Sequence, residues 1–491
     1  MKELSFRTRR ENLEDASARP VDVLVVGGGI TGAGIAWDAA SRGMRVLLVE
    51  RRDFGHATSS RTSKMIHGGL RYLQNLQVSM VKRSLDERRL LSRNAPGLVE
   101  WLPIVIPVYG IKDALLMRSG LLAYDALARE PDRRHRRVDA AEMSRRFPSL
   151  RADGLRSGLE YWDCVMNDAR LTLTVVAAAA REGARVANYA EVSSFTVGAG
   201  GKISGAMVRD LVSGVDWSVK ARIVVNASGP WGDRVRALDD REAAPRLRPN
   251  RGAHLIVSRE RLPVEGGLAV FHAPGRLLFV LPWKGRVLLG TTESEFAGDP
   301  DDVAAAPDER DFLLQLARCY LPGAGLTPQD VIASYAGVRP LLRAGTSLSR
   351  SSREHQILVS PTGLVSVLGG KFTTFRRMAE EVVDRIATPL GFGSCRTKDL
   401  SLDGVLPDAP GLNPSREETA SSVRYEMAMT LGDLLVRRTP AALVSEGPAS
   451  VDLERISVDL ARELAWTERE READLARYLL SVARTFYPRG P

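Results

Sequence analysis

Three glycines, Gly27, Gly29 and Gly32, spell G-x-G-x-x-G between an apolar run that starts at Asp22 (DVLVVG) and a helix-like stretch (ITGAGIAWDAASR) stopped at Gly43. That spacing serves phosphate chemistry. Glycine lets a pyrophosphate approach the backbone through a tight turn, and the helix start that follows offers unpaired N–H donors at its positive dipole end. Glu50 closes the next apolar run (MRVLLVE), 18 residues beyond Gly32, where a carboxylate accepts hydrogen bonds from ribose hydroxyls. An acid there disfavours a 2′-phosphate and therefore NADP; these residues alone leave NAD and FAD open. Six histidines with no HxxxH or HExxH spacing, and three cysteines (Cys164, Cys319, Cys395) far apart in the chain, predict no metal site and no dithiol chemistry.

The elements that must hold this turn read as a βαβ unit from Asp22 to Glu50. The same strand, turn and helix grammar returns after Asp168 (ARLTLTVVAAAARE), in ARIVVNASGPWGDRVRAL, and in LVSVLGGKFTTFRRMAEEVVDRIA near residue 370, with a β-meander over 185 to 220. Repetition of one grammar predicts a single discontinuous α/β domain. Residues 246 to 295, with LLFVLPW and RVLLGTT, read as a second, inserted sheet, and the chain turns helical and charged after about residue 400. The 491 residues carry 44% apolar and 26% charged side chains, ordinary for a globular chain of several folding units. A net charge of +9 suits anionic substrates, anionic lipid or nucleic acid, but no helix-turn-helix, zinc or aromatic-basic module accompanies it, so no nucleic acid is expected. The longest uncharged stretch, His355 to Gly370, is too short to span a bilayer. The first twenty residues lack the apolar region of a secretory signal and read as a flexible lead-in on a protein that stays in a reducing cytosol. Residues 112 to 129 (KDALLMRSGLLAYDALAR) place leucines and Tyr124 at helical spacing before a basic cluster, REPDRRHRRVD. Such a helix can lie on an anionic membrane or pack on its own protein.

From Gly55 to Leu73 the text GHATSSRTSKMIHGGLRYL closely resembles the FAD-dependent, aerobic type of glycerol-3-phosphate dehydrogenase. The resemblance continues in order through YWDCVMNDARLTL, NASGPW, FVLPWKGRVLLGTTESEFAGDP, YAGVRPLL, GGKFTTFR and EMAMTLGDLLVRRT, and so spans nearly the whole chain. It implies FAD as cofactor and an α/β fold: a Rossmann-like FAD-binding domain (20–95, 160–240 and 335–395), an inserted mixed β-sheet substrate domain of the D-amino-acid-oxidase type (96–159 and 241–334), and a C-terminal helical domain (400–491). The activity implied is oxidation of sn-glycerol 3-phosphate to dihydroxyacetone phosphate in glycerol metabolism, with electrons passed to a quinone by an enzyme on the inner face of the cytoplasmic membrane.

The resemblance also assigns residues. Arg71 with Tyr72, and Arg339, match positions that grip substrate, which suits a phosphate monoester because planar guanidiniums bind its oxygens in pairs. His254 matches the candidate general base, and Lys371 a lysine near substrate and flavin. Ser59, Ser60, Ser63, Lys64, His67, Gly68 and Gly69 crowd hydrogen-bonding and small groups after the second strand, where they suit FAD; Gly229, Gly370 and Thr373 are expected beside the flavin. Thr291-Thr292-Glu293 departs from the family's usual TTD, and the stretch between SLDGV and YEMAMTL is shorter than usual. Two other readings stay open: an oxidase on the same scaffold that uses oxygen or acts on an amine or 2-hydroxy acid, and a flavoprotein that senses redox state without turnover. The oligomeric state is open, with a homodimer one outcome.

Overall fold

From Val23 to Val26 the strand Val21–Val26 is apolar and buried on both faces, and it lies at the centre of a parallel sheet. Val46–Val49 pairs with it on one side and Asp216–Asn226 on the other, both parallel. Arg185–Ala187 extends the sheet beyond the first; Val365–Gly369 extends it beyond the second and carries the antiparallel edge strand His355–Val359. The computed structural model describes residues 2–273, 276–343 and 355–487. Helices Ile30–Ser41, Asp168–Arg181 and Phe375–Ala387 cover one face, and their Ala33, Ile35, Val175, Val176, Val382 and Val383 share a core with Val23, Val25, Val46 and Leu48. The meander Ala190–Val197, Ile203–Asp210 and Asp216–Asn226 folds back as antiparallel hairpins.

The second sheet has ten strands and is mixed: most pairings are antiparallel, and Gly267–Ala273 runs parallel to Val99–Val108. Along its long strand Leu247–Ser258 the side chains alternate between two cores. Leu255 and Val257 pack with Leu313, Leu314 and Ala317 of helix Pro307–Tyr320; Ile256 packs with Leu434, Leu435 and Leu443 from the C-terminal region. The C-terminal helices Arg416–Glu426, Leu453–Leu464 and Glu468–Phe486 therefore cover one face of the substrate sheet, sharing its core.

Two boundaries differ from the sequence reading. Strands Ser157–Met166 and Val331–Leu342, the second carrying Arg339, belong to the substrate sheet; the nucleotide sheet resumes only with helix Asp168–Arg181 and again at His355. Apolar periodicity identifies a buried strand but not which of two sheets it joins. The N-terminal segment is also not a loose lead-in. Ser5 caps a helix, Phe6–Ala18, that buries Leu13 and Ala16, and Arg9 makes a buried ion pair to Asp210 at 2.6 Å.

Candidate active site

A cavity of about 690 Å³ runs between the two sheets, from the glycine turn to the strands that carry His254 and Arg339. At one end the turn is packed to the limit. A Cβ on Gly32 would lie 1.9 Å from the Gly27 carbonyl oxygen, and Gly27, at φ +110°, would place one 2.7 Å from the Ala227 carbonyl. Gly27 and Gly29 line the cavity while Gly32 lies behind them, where its lack of a side chain lets helix Ile30–Ser41 start against the strand. Glu50 lines the cavity and accepts from the N–H groups of Gly28 (2.7 Å) and Arg52 (2.8 Å), so its first job is to hold the turn. An ionised carboxylate offers about four acceptor positions, so two remain for ribose hydroxyls. Burial pushes the Glu50 carboxyl above its ordinary range, and the two backbone donors oppose that shift. Ser59 lines the same end and accepts from the Ile30 N–H at 2.9 Å.

Several cavity groups here escaped the sequence reading: Arg51, Arg52, His56, Trp231 and Arg234. Arg51 lies 5.2 Å over the Trp231 ring and pairs with Asp301 at 2.5 Å. The buried Trp231 Nε1 has no partner among the described residues, which leaves a donor for a bound group. Glycines that no side chain could replace, two spare carboxylate acceptors and an orphan indole N–H together fit a dinucleotide. The signal was present in NASGPW and in the two arginines after Glu50, but one sequence cannot show which side of a loop faces a ligand.

The other end is cationic. Arg339 lies flat on the substrate sheet, where a Cβ on Gly252 would sit 2.3 Å from its Nη2. Its Nη1 donates to Asn250 Oδ1 (2.8 Å) and the Thr292 carbonyl (3.3 Å), and its Nη2 to Thr291 Oγ1 (2.9 Å). Arg71 stands 3.6 Å from Glu293 and 5.7 Å over the Tyr72 ring; Lys371 Nζ is 4.8 Å from the same ring and donates to Ser84 Oγ. Gly69, at φ +80°, makes room for that cluster, since a Cβ there would meet the Tyr72 ring at 2.4 Å. One short segment, Thr291-Thr292-Glu293, thus touches both arginines. Its importance was hidden because the sequence showed it only as a departure from a usual TTD.

His254 lies between these ends. Its ring stacks on Tyr335 (4.8 Å, 14°), its Nε2 is 2.9 Å from Ser63 Oγ, and its buried Nδ1 has no partner among the described residues. Burial first, then the charges of Arg339 and Lys64, hold its pKa well below the ordinary value, so the ring is neutral and able to accept a proton. His67, Gly229, Gly370 and Thr373 also line the cavity, Thr373 accepting from the His67 N–H at 3.3 Å. Ser60, Lys64 and Gly68 do not. Lys64 pairs with Asp168 at 2.6 Å and donates to the Ser60 carbonyl, and Ser60 turns its hydroxyl to the Ala57 carbonyl. Gly68 packs on Leu85 and donates to Tyr124 and Asp163. These three brace the loop from behind, because a chain segment wedged between two sheets must satisfy its own polar groups on the side away from the cavity. Among the described residues no cluster could hold a metal ion.

Comparison with known proteins agrees with this geometry. A profile of the FAD dependent oxidoreductase family (DAO) matches residues 22–385. An aerobic glycerol-3-phosphate dehydrogenase of Staphylococcus epidermidis is 36% identical over 80% of this chain and 72% of its own length. A probable mitochondrial glycerol-3-phosphate dehydrogenase of Caenorhabditis elegans is 34% identical over 98% of this chain and 75% of its own. The solved structure of a glycerol-3-phosphate dehydrogenase from Bacillus halodurans complexed with FAD superposes with a TM-score of 0.81 at 27% identity, covering 98% of both chains.

Proposed function

The chain belongs to the FAD-dependent glycerol-3-phosphate dehydrogenases, within the DAO family of FAD-dependent oxidoreductases, and from that membership we propose that it oxidises sn-glycerol 3-phosphate to dihydroxyacetone phosphate and delivers the electrons to a quinone at a membrane surface. Bound FAD supplies the hydride acceptor for the substrate's C2–H. Everything else falls to the side chains. Arg339, already fixed by three hydrogen bonds, and Arg71 grip the phosphate through charge-assisted bonds. With its proton on Nδ1, His254 takes the C2 hydroxyl proton at Nε2, where Ser63 shares the bond. Lys371 stabilises negative charge beside the Tyr72 ring.

The observation that carries this reading is the neutral, buried His254 set between a dinucleotide turn and a pair of arginines. The test is anaerobic: adding glycerol 3-phosphate to the yellow protein should bleach its flavin absorbance, and adding a short-chain quinone should restore it. Absence of bleaching would overturn the substrate assignment, and rapid reoxidation by oxygen with peroxide release would overturn the acceptor.

Membrane attachment rests on a separate surface. Helix Ile111–Ala128 buries Leu121 and Tyr124 but leaves Ile111, Leu115, Leu116 and Leu122 exposed, and Leu76 and Val78 are exposed close to Arg71 in the chain. Among the described residues no helix is long and apolar enough to cross a membrane. The attachment we propose is therefore peripheral, on the cytoplasmic side, with the exposed leucines in the lipid boundary and the basic run after Ala128 near anionic headgroups. Co-sedimentation with anionic vesicles should fall on L115E/L116E while anaerobic bleaching is kept.

A further inference from the structure

The C-terminal region lies beyond the residues matched by the DAO profile, yet it sends two arginines under the cofactor loop. In the short helical turn Asp433–Arg438, Arg437 and Arg438 both point at Asp53, three residues after Glu50. Asp53 is fully buried. Its carboxylate accepts from Arg437 Nε (2.5 Å), from both terminal nitrogens of Arg438 (Nη2 at 2.9 Å), and from Asn188 Nδ2 (3.2 Å). Burial alone would raise this carboxyl; the Arg438 and Arg437 charges overcome it and hold it at about 2. Arg437 also donates to Asp433 at 2.6 Å, and Arg438 to the Glu426 carbonyl. The arginines are thus oriented from their own side as well.

The loop they hold reaches the phosphate turn directly. Phe54 packs on Gly28 so closely that a Cβ there would come within 2.6 Å of the ring, and the Gly55 N–H donates to the Gly28 carbonyl at 3.0 Å. Gly28 in turn donates to Glu50. His56, next in the chain, lines the cavity and donates its N–H to the Asp53 carbonyl. Buried charge pairs of this kind add little net stability but fix geometry, because an unpaired charge on either side is costly.

We infer that Arg437 and Arg438 are positioning residues for the cofactor: through Asp53 they fix the Asp53–Gly55 loop against the Gly27–Gly29 turn, so that the C-terminal region sets how tightly the FAD pyrophosphate is held. The test titrates deflavinated protein with FAD by flavin fluorescence and follows the melting of the apoprotein in parallel. R437M leaves Asp53 paired with Arg438 but removes one arm of the clamp, and should raise the FAD Kd by about tenfold or more. R437K, which keeps the charge and loses the fork, should fall between R437M and wild type. L460A is the control: it opens a cavity in the same helical region far from Asp53 in sequence, and should lower the melting point while raising the Kd less than about threefold. An unchanged Kd in R437M, or equal Kd shifts in R437M and L460A, would overturn the inference by reducing the effect to general loosening. If R437M does not fold, R437K against L460A decides by the same criterion.

Discussion

The two ends of the cavity are built to hold an anion by opposite means, backbone at one and side chains at the other. At the nucleotide end the means are backbone: a turn so tight that Gly32 has no room for a Cβ, a carboxylate that gives half its acceptor positions to backbone N–H groups, and a helix start. At the cationic end the groups on offer are long side chains, Arg71, Arg339 and Lys371, held in place by neighbours from other segments. A backbone site is specified by short sequence spacing and tolerates almost no substitution. A side-chain site is assembled from distant segments and can be weakened one bond at a time.

That contrast orders the expected effects. Gly32→Val should be the most damaging, because its side chain would collide with the Gly27 carbonyl; the protein should be recovered colourless or not at all, and a yellow, active variant would show that the turn can yield. His254→Asn should keep the flavin and the fold but lower kcat by about 10² to 10⁴. In the wild type, a ring whose pKa is held well below 6.5 stays neutral as pH falls, so the acidic limb of kcat/KM should lie below the range in which an ordinary imidazole titrates. The same depression fixes the sign for stability: the unfolded ring takes up a proton near its ordinary value while the folded one does not, so stability falls as pH drops below about 6.5. A limb above pH 7 would assign the base elsewhere.

Arg339→Ala removes charge-assisted bonds worth about 1.5 to 3 kcal/mol each, so kcat/KM should fall about tenfold or more. The loss should be partly restored by added guanidinium, which supplies the missing cation. Glu293→Gln should act least. Because Glu293 pairs with Arg71, KM should rise by about two- to fivefold with kcat unchanged, and the effect should vanish in an Arg71→Ala background. A full effect in that background would mean Glu293 meets the substrate itself.

How much of this could be read from the chain follows the same contrast. The βαβ turn, Glu50 and the returning α/β grammar were legible because local spacing specifies them. The placement of Arg339 and His254 in one cavity was reached only through resemblance, since the strands that carry them touch residues far off in sequence: Arg339 reaches Asn250 and Thr291, and His254 reaches Ser63. Lys64 shows the limit in the other direction. Its place among hydrogen-bonding residues suggested cofactor contact, but a buried ammonium needs a partner, and Asp168 provides it behind the wall. The arginines at 437 and 438 lie in the quoted stretch EMAMTLGDLLVRRT, but nothing in that text tells a buried pair from a helical RR facing solvent.

The shared core beneath the substrate sheet also has a consequence for how the molecule is made. Ile256, Leu288 and Tyr335 share a core with Leu434, Leu443 and Ile456, which are synthesised after them. A nascent polypeptide that has emerged only as far as residue 400 carries the strands of His254 and Arg339 with one greasy face still bare, so emergence of the helices beyond it, rather than completion of the flavin fold, is the moment at which this sheet can first become watertight.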